Sequence, residues 1–456
     1  MEGLPKEGLG EGHGQIFVRV PPVNPNSNFP ENCRKIPYYP HTNVRGMTHM
    51  QSASATFATA GETKPAASPS HFRETVSLQS LVAPVSEEEF LARYFERKPL
   101  ILHRQNPGYY GDLFTLEDFD NSVTRGRGYV KTAEATAKKQ AKHHGSGASA
   151  LESVLTDMRD GHTLILDGQQ DFDPKLGPLC RALAQQTGAR FQTNIYLTPP
   201  NGKGFQPHWD NHDVFVMQVL GSKHWKVEKT RRTLPEKDAT IETEGREFRG
   251  DVHSFTLQQG DMVYLPRGYV HAAECGAENS LHITLGMYPS TWDDLLLATI
   301  KAAIQGDDSL RLFLPYGHMK GDGAGIVKQV GEILHRVADP AFLTQVFDRF
   351  RDESITKMPL DISGQIAAFF QGKDFALDDV ISPRPGLCYT IRKRAEGVTL
   401  NVGTRSITFP DFFGEALEFA LTASSYAIRD LPGDLEDEER LVFIERLIQE
   451  GLVVRK

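Results

Sequence analysis

The chain of 456 residues is long enough for about three domains of ordinary size. Acids outnumber bases 59 to 50, and the formal charge of −9 has the wrong sign for a protein that clings to a polyanion, so direct nucleic-acid binding is not expected. No window approaches the run of about eighteen apolar residues that a spanning helix needs, and Cys33, Cys180, Cys275 and Cys388 form no CxxC pair, which argues against a disulfide framework or a thiolate zinc site.

Residues 1–75 carry no sustained periodicity, and the Ala, Ser and Thr of Gln51 to Ser70 cannot offset the entropy of ordering their backbone. A disordered extension is expected there, with an acid-poor, Ser-rich targeting segment as the sharper alternative. Order is expected to begin near Ser86, where Phe90, Leu91, Tyr94 and Phe95 follow a capping serine and an acidic first turn at helical spacing. Pro99 ends that helix, and Leu100-Ile101-Leu102 starts a strand. Between Arg125 and His144 lies a basic run ahead of Gly145-Ser146-Gly147. It reads either as a contact for an acidic partner or as a solvated insertion; without interleaved aromatics after Tyr129 the insertion is favoured.

From Thr163 to Ser290 short strands are broken by Gly and Pro, which predicts a mainly β barrel with flanking helices, one of them carrying Leu179, Leu183 and Ala184 on its inner face. After Trp292 the pattern turns helical to about Phe370. The last segment predicts a hairpin over Cys388 to Phe409, a helix over Phe412 to Leu421, and a capped helix from Asp437 to Glu450 ended by Gly451, an assembly suggestive of a winged helix.

The chemistry is concentrated in residues 204–219. His208 and Asp210 are two apart, so on a strand they share a face. A third metal ligand has to come from elsewhere, and His271 is the candidate: Gly260-Asp261 predicts a turn, Met262 to Leu265 a strand, and Pro266 to Gly268 a second turn that aims His271 at the barrel mouth. Two histidines and one carboxylate form the facial triad of non-haem iron(II) oxygenases, which leaves positions open for a 2-oxo acid and dioxygen. His212, also two residues from Asp210, is the rival ligand. Gly221-Ser222 reads as a two-residue hairpin turn that starts the next strand at Lys223, a cation that needs an anion if it enters the barrel. Asn194, Tyr196 and Thr284 are further candidates for contacts to the same ligand, although polar core residues would look alike.

With these motifs, the stretch from about Phe90 to Pro289 resembles the JmjC-type cupin oxygenases, and more narrowly the ribosomal oxygenase family, whose order of a double-stranded β-helix barrel, a helical dimerisation segment and a C-terminal winged-helix domain matches residues 76–290, 291–375 and 376–456. The resemblance implies that His208, Asp210 and His271 bind Fe(II), in preference to His212, and that Lys223 and Asn194 hold 2-oxoglutarate, with Tyr196 and Thr284 as looser matches. It further implies a homodimer that hydroxylates a histidine or arginine side chain of a ribosomal protein, releasing succinate and CO2, or alternatively removes N-methyl groups from histone lysines. A small-molecule metal cupin and a non-catalytic binding module are the competing readings. A soluble intracellular protein is expected, cytoplasmic in a bacterium and nuclear or nucleolar in a eukaryote.

The total charge conceals opposed segments. Asp430 to Glu450 holds eight acids and two bases, whereas Arg125 to Lys142 holds six bases and one acid. The acidic terminus is expected to favour a basic protein substrate.

Overall fold

The computed structural model describes residues 76–133, 148–228 except 203, 234–237, 239, 248–370 except 321, 322, 359 and 362, and 374–456, together with the short strands Ala58–Thr59 and Lys142–His144. The expected extension over residues 1–75 and the insertion over Lys138 to Gly147 therefore lie almost wholly outside the described residues. Arg125 and Arg127 are exposed, and Lys131 pairs with Asp167.

The part of the chain before residue 290 is built on twelve strands: β1 (Ala58–Thr59), β2 (Leu100–Leu102), β3 (Tyr129–Ala133), β4 (Lys142–His144), β5 (Thr163–Asp167), β6 (Arg190–Thr198), β7 (Asp213–Gly221), β8 (Lys223–Glu228), β9 (Val252–Leu257), β10 (Met262–Leu265), β11 (Val270–Glu274) and β12 (Ser280–Tyr288). Nine form one sheet in the order β1-β2-β10-β7-β12-β6-β5-β3-β4, and three form a second, β11-β8-β9. Apart from the parallel pair β1 and β2, neighbours run antiparallel. Helices α1 (Leu78–Val82), α2 (Glu87–Arg93), α3 (Leu116–Thr124), α4 (Ala148–Arg159) and α5 (Leu176–Thr187) flank them.

Strand alternation divides the large sheet into two faces. Phe191, Ile195 and Leu197 of β6, Phe215 and Met217 of β7, and Leu281, Ile283 and Leu285 of β12 join the core with Phe90 of α2 and Leu179 and Leu183 of α5. The opposite face carries Val214 and Val216 of β7 and Val263 and Leu265 of β10, which pack with Trp225, Val227, Phe255 and Leu257 of the small sheet. Burying these side chains between the sheets contributes about 1.5–3 kcal/mol each. The same face, farther along β6 and β12, carries Asn194, Tyr196, His282 and Thr284, so the apolar packing gives way to polar side chains.

Two local expectations are corrected. Gly221-Ser222 is not a hairpin turn, because β7 bonds to β10 and β12 whereas β8 bonds to β9 and β11. Gly221 instead marks the corner where the chain leaves one sheet for the other; its φ is +63°, and a Cβ there would lie 2.0 Å from the Asn279 carbonyl oxygen. Second, α2 is one turn shorter than its apolar spacing suggests. Tyr94 caps it, and Glu96 turns the chain with a φ of +56°.

Beyond the barrel come helices α6 (Trp292–Gly306), α7 (Ala324–Val337), α8 (Pro340–Ile355) and α9 (Gln365–Phe370). Strands β13 (Val380–Pro383), β14 (Tyr389–Arg394), β15 (Gly397–Val402), β16 (Arg405–Phe409), β17 (Tyr426–Ala427) and β18 (Val453–Arg455) alternate with helices α10 (Gly414–Thr422) and α11 (Asp437–Gln449). The expected hairpin over Cys388 to Phe409 is a three-stranded meander, β14-β15-β16, since Gly403 at a φ of +51° supplies a second turn. Strands β13, β17 and β18 form a separate small sheet. This terminal region has its own core of Leu400, Leu417, Ile444 and Leu447. No helix among the described residues is long and apolar enough to cross a membrane.

Candidate metal centre and co-substrate chamber

His208 sits just before β7 and His271 at the start of β11. They form an isolated antiparallel bridge in which each backbone N–H donates to the other's carbonyl, at 3.1 and 2.7 Å. The bridge places their rings 4.4 Å apart between centroids. Asp210 extends from the same segment, its carbonyl accepting from the Gly268 N–H at 2.8 Å, and its Oδ2 lies 3.6 Å from His271 Nε2. One ligand atom from each of His208, Asp210 and His271 lies within 4.8 Å of the other two.

The second ring nitrogens fit a metal site. His208 Nδ1 lies 2.9 Å from the Gln206 carbonyl oxygen and His271 Nδ1 lies 3.0 Å from that of Tyr269. A carbonyl only accepts, so each Nδ1 carries the proton and each Nε2 keeps its lone pair for a metal. His271 is buried, while His208 and Asp210 remain partly open.

His212 does not join them. Its ring stacks on Tyr288 with centroids 4.5 Å apart, against Gly286, where a Cβ would fall 2.8 Å from the imidazole. Burial lowers its pKa, so it is a neutral wall of the mouth.

The remaining candidates line the chamber. Asn194 pairs across strands with Thr284, and Tyr196 with His282, which places all four on one face. Asn194 Oδ1 accepts from the Gly168 N–H at 3.0 Å, which leaves its amide NH2 as the group able to reach a ligand. Tyr196 stacks on His282 at 4.8 Å, and burial raises its phenol pKa, keeping it a neutral donor. Lys223 lies deep, 2% exposed, donating to Thr198 Oγ1 at 2.8 Å. No carboxylate pairs with it among the described residues, and burial lowers its pKa to about 8. A buried amine without an anion is costly, so its surroundings fit a ligand that brings a negative charge.

Two residues of the chamber were not singled out by the sequence. His282 is buried, its pKa held well below the usual value by desolvation, and its Nδ1 finds no partner among the described residues. Trp225, which faces both His271 and His282, leaves its indole N–H likewise unsatisfied. Only the alternation of β8 and β12 around Lys223 and Thr284 pointed towards them.

Comparison with known proteins agrees with this architecture. Residues 166–295 match the JmjC domain family. Ribosomal oxygenase 1 of Gallus gallus is 35% identical over 234 residues, covering 49% of this chain and 39% of the relative. Ribosomal oxygenase 2 of Bos taurus is 28% identical over 355 residues, 71% of this chain and 72% of the relative. The chain thus spans under half the length of the first relative and nearly three quarters of the second. Among solved structures, ycfD of E. coli superposes with a TM-score of 0.54 at 18% identity, covering 82% of this chain and 98% of that one, which is a likeness of fold.

Proposed function

We propose that the JmjC domain at residues 166–295 serves an Fe(II)- and 2-oxoglutarate-dependent oxygenase that hydroxylates a side chain, histidine or arginine, of a ribosomal protein. The observation that carries this reading is the cluster of His208, Asp210 and His271 within 4.8 Å, with the buried Lys223 on β8, the strand paired with the one bearing His271. Two histidines and a carboxylate suit iron(II) and leave cis positions free. A related solved structure, YcfD of Escherichia coli, described as a ribosomal oxygenase, is a complex with cobalt and 2-oxoglutarate, at a TM-score of 0.50 and 17% identity.

In this reading His208, Asp210 and His271 hold the iron, and the bound metal supplies the activation of dioxygen with conversion of 2-oxoglutarate to succinate and CO2. The chain's own part is electrostatic and geometric. Lys223 binds the distal carboxylate, and the anion offsets the cost of keeping an ammonium buried. Asn194, Tyr196 and Thr284 orient the co-substrate through neutral hydrogen bonds. The walls of Trp225, Val227 and Tyr196 exclude water from the chamber, and Gln206 and Tyr269 keep the ligand imidazoles in one tautomer.

Residues 291–375 we read as a dimerisation segment, because Trp292, Leu297, Phe313 and Tyr316 are 62%, 68%, 78% and 100% exposed, and exposed apolar side chains gathered in one segment suit an interface. Residues 376–456 we read as winged-helix-like. A histone demethylase is the second reading, since a Caenorhabditis briggsae relative, 28% identical over 251 residues, is named a bifunctional lysine-specific demethylase and histidyl-hydroxylase.

The test is incubation of the protein with Fe(II), 2-oxoglutarate and extracted ribosomal proteins, followed by mass spectrometry. Gain of one oxygen atom on a histidine or arginine, with succinate formed and both lost in Asp210→Ala, is the expected outcome. Formaldehyde release from methyl-lysine peptides without oxygen gain would favour the demethylase, and no succinate under any condition would remove the oxygenase.

A further inference from the structure

The metal-ligand segments are short on regular support. His208 has a single bridge to His271, and Asp210 lies in the link before β7, outside any ladder. What lies behind them is a closed ring of polar contacts. Asp213, three residues after Asp210, is wholly buried. Its Oδ2 accepts from Arg267 Nη1 at 2.7 Å, and its Oδ1 accepts from Tyr264 Oη at 2.7 Å. Arg267, four residues before His271, turns its other arm to Glu96 Oε1 at 2.6 Å. The Glu96 N–H closes the ring by donating to Tyr264 Oη at 3.0 Å.

We propose that Glu96, Asp213 and Arg267 are positioning residues of the metal centre: their ring clamps the segment carrying Asp210 to the turn carrying His271 and makes the chain after α2 part of the site. This rests on the metal-binding reading above. Arg267 is the residue immediately before Gly268, whose N–H holds the Asp210 carbonyl, and its own N–H donates to Asp213 Oδ1 at 3.4 Å, so the ring reaches the backbone that positions Asp210. The planar guanidinium spans two carboxylates at fixed angles, which a single point charge does not reproduce. Glu96 adopts a left-handed φ of +56°, unfavourable for a residue with a side chain and sustained when its surroundings over-determine it. Nearby, Tyr269 Oη donates to the Arg97 carbonyl at 3.0 Å, so a second bond ties the same turn to the same segment. Groups that orient metal ligands typically alter metal affinity about 10- to 100-fold when removed.

The test is Co(II) titration of the full chain stripped of metal, read by visible absorption, alongside the urea midpoint of each metal-free variant. Glu96→Gln, at a partly exposed position, keeps the fold and is expected to weaken Co(II) about tenfold with an altered absorption band. Arg267→Lys is expected to weaken it further. As a stability control, Arg181→Gln breaks a 2.6 Å pair with Asp361 remote from the metal ligands and is expected to lower the urea midpoint with Co(II) affinity unchanged. If Glu96→Gln and Arg267→Lys bind Co(II) as the parent does, with the parent spectrum, the clamp is overturned while the metal site stands. If the parent itself fails to bind Co(II), or His208→Ala binds equally well, the metal reading falls and the clamp falls with it.

Discussion

Lys223 shows how one buried charge ties stability to ligand binding. Its pKa is lowered to about 8 by burial, against an ordinary 10.5. Between these values the unfolded chain binds the proton and the folded chain does not, so stability rises with pH across that window. Below pH 8 both states are protonated, and the folded protein carries the full penalty, about 3 kcal/mol at 1.36 kcal/mol per unit. Cys275, whose pKa burial raises, works in the opposite direction at higher pH, so the difference between parent and variant is the informative quantity. Lys223→Met is expected to raise the metal-free protein's stability at pH 7 and to remove the rise between pH 8 and 10.5. Urea denaturation of both proteins at several pH values checks this. The same variant is expected to lose the stabilisation that 2-oxoglutarate gives the parent. The sequence made Lys223 visible through the Gly221-Ser222 turn signal just before it, His208 and Asp210 through their two-residue spacing, and His271 through the turn residues ahead of it. Asp213 and Arg267 stayed invisible as a pair because two charged residues 54 positions apart leave no local signature of mutual burial.

At the scale of elements, Gly221 decides where a strand ends and a second sheet begins. The backbone there meets the Asn279 carbonyl, which cannot move aside as a flexible side chain can. Gly221→Ala adds both an unfavourable φ and this clash, and is expected to destabilise the protein by about 2 kcal/mol or more. A lower urea midpoint at unchanged slope would register it. Since Lys223 follows two residues later, weaker 2-oxoglutarate binding is expected in the same variant. The Gly-Ser pair looked like a hairpin because the local conformation that reverses a chain also turns a corner; the distinction depends on which distant strand offers hydrogen bonds. The same limit made the β14-β15-β16 meander look like one hairpin. Helix α5 was legible because its apolar spacing suffices to define a buried face, and Leu179, Leu183 and Ala184 do lie in the core.

For the whole molecule, the acidic segment of the sequence can be set on a particular surface. Glu436, Asp437 and Glu438 are exposed at the start of α11, where the positive end of the helix dipole also favours them. The buried side of that helix is Phe443, Ile444 and Leu447, so the acids are free of any packing duty. Their combined change to Gln, Asn and Gln is expected to cost about 0.3–1 kcal/mol per charge through the dipole alone. If this face receives a basic protein, the triple variant binds it more weakly at low salt, and the two proteins converge as salt screens the attraction. Binding of a lysine- and arginine-rich ribosomal protein, measured from low to high salt, separates the two contributions: a stability loss leaves the salt slope unaltered, and loss of an attractive face flattens it. An unchanged slope would mean that Glu436, Asp437 and Glu438 take no part in binding such a protein.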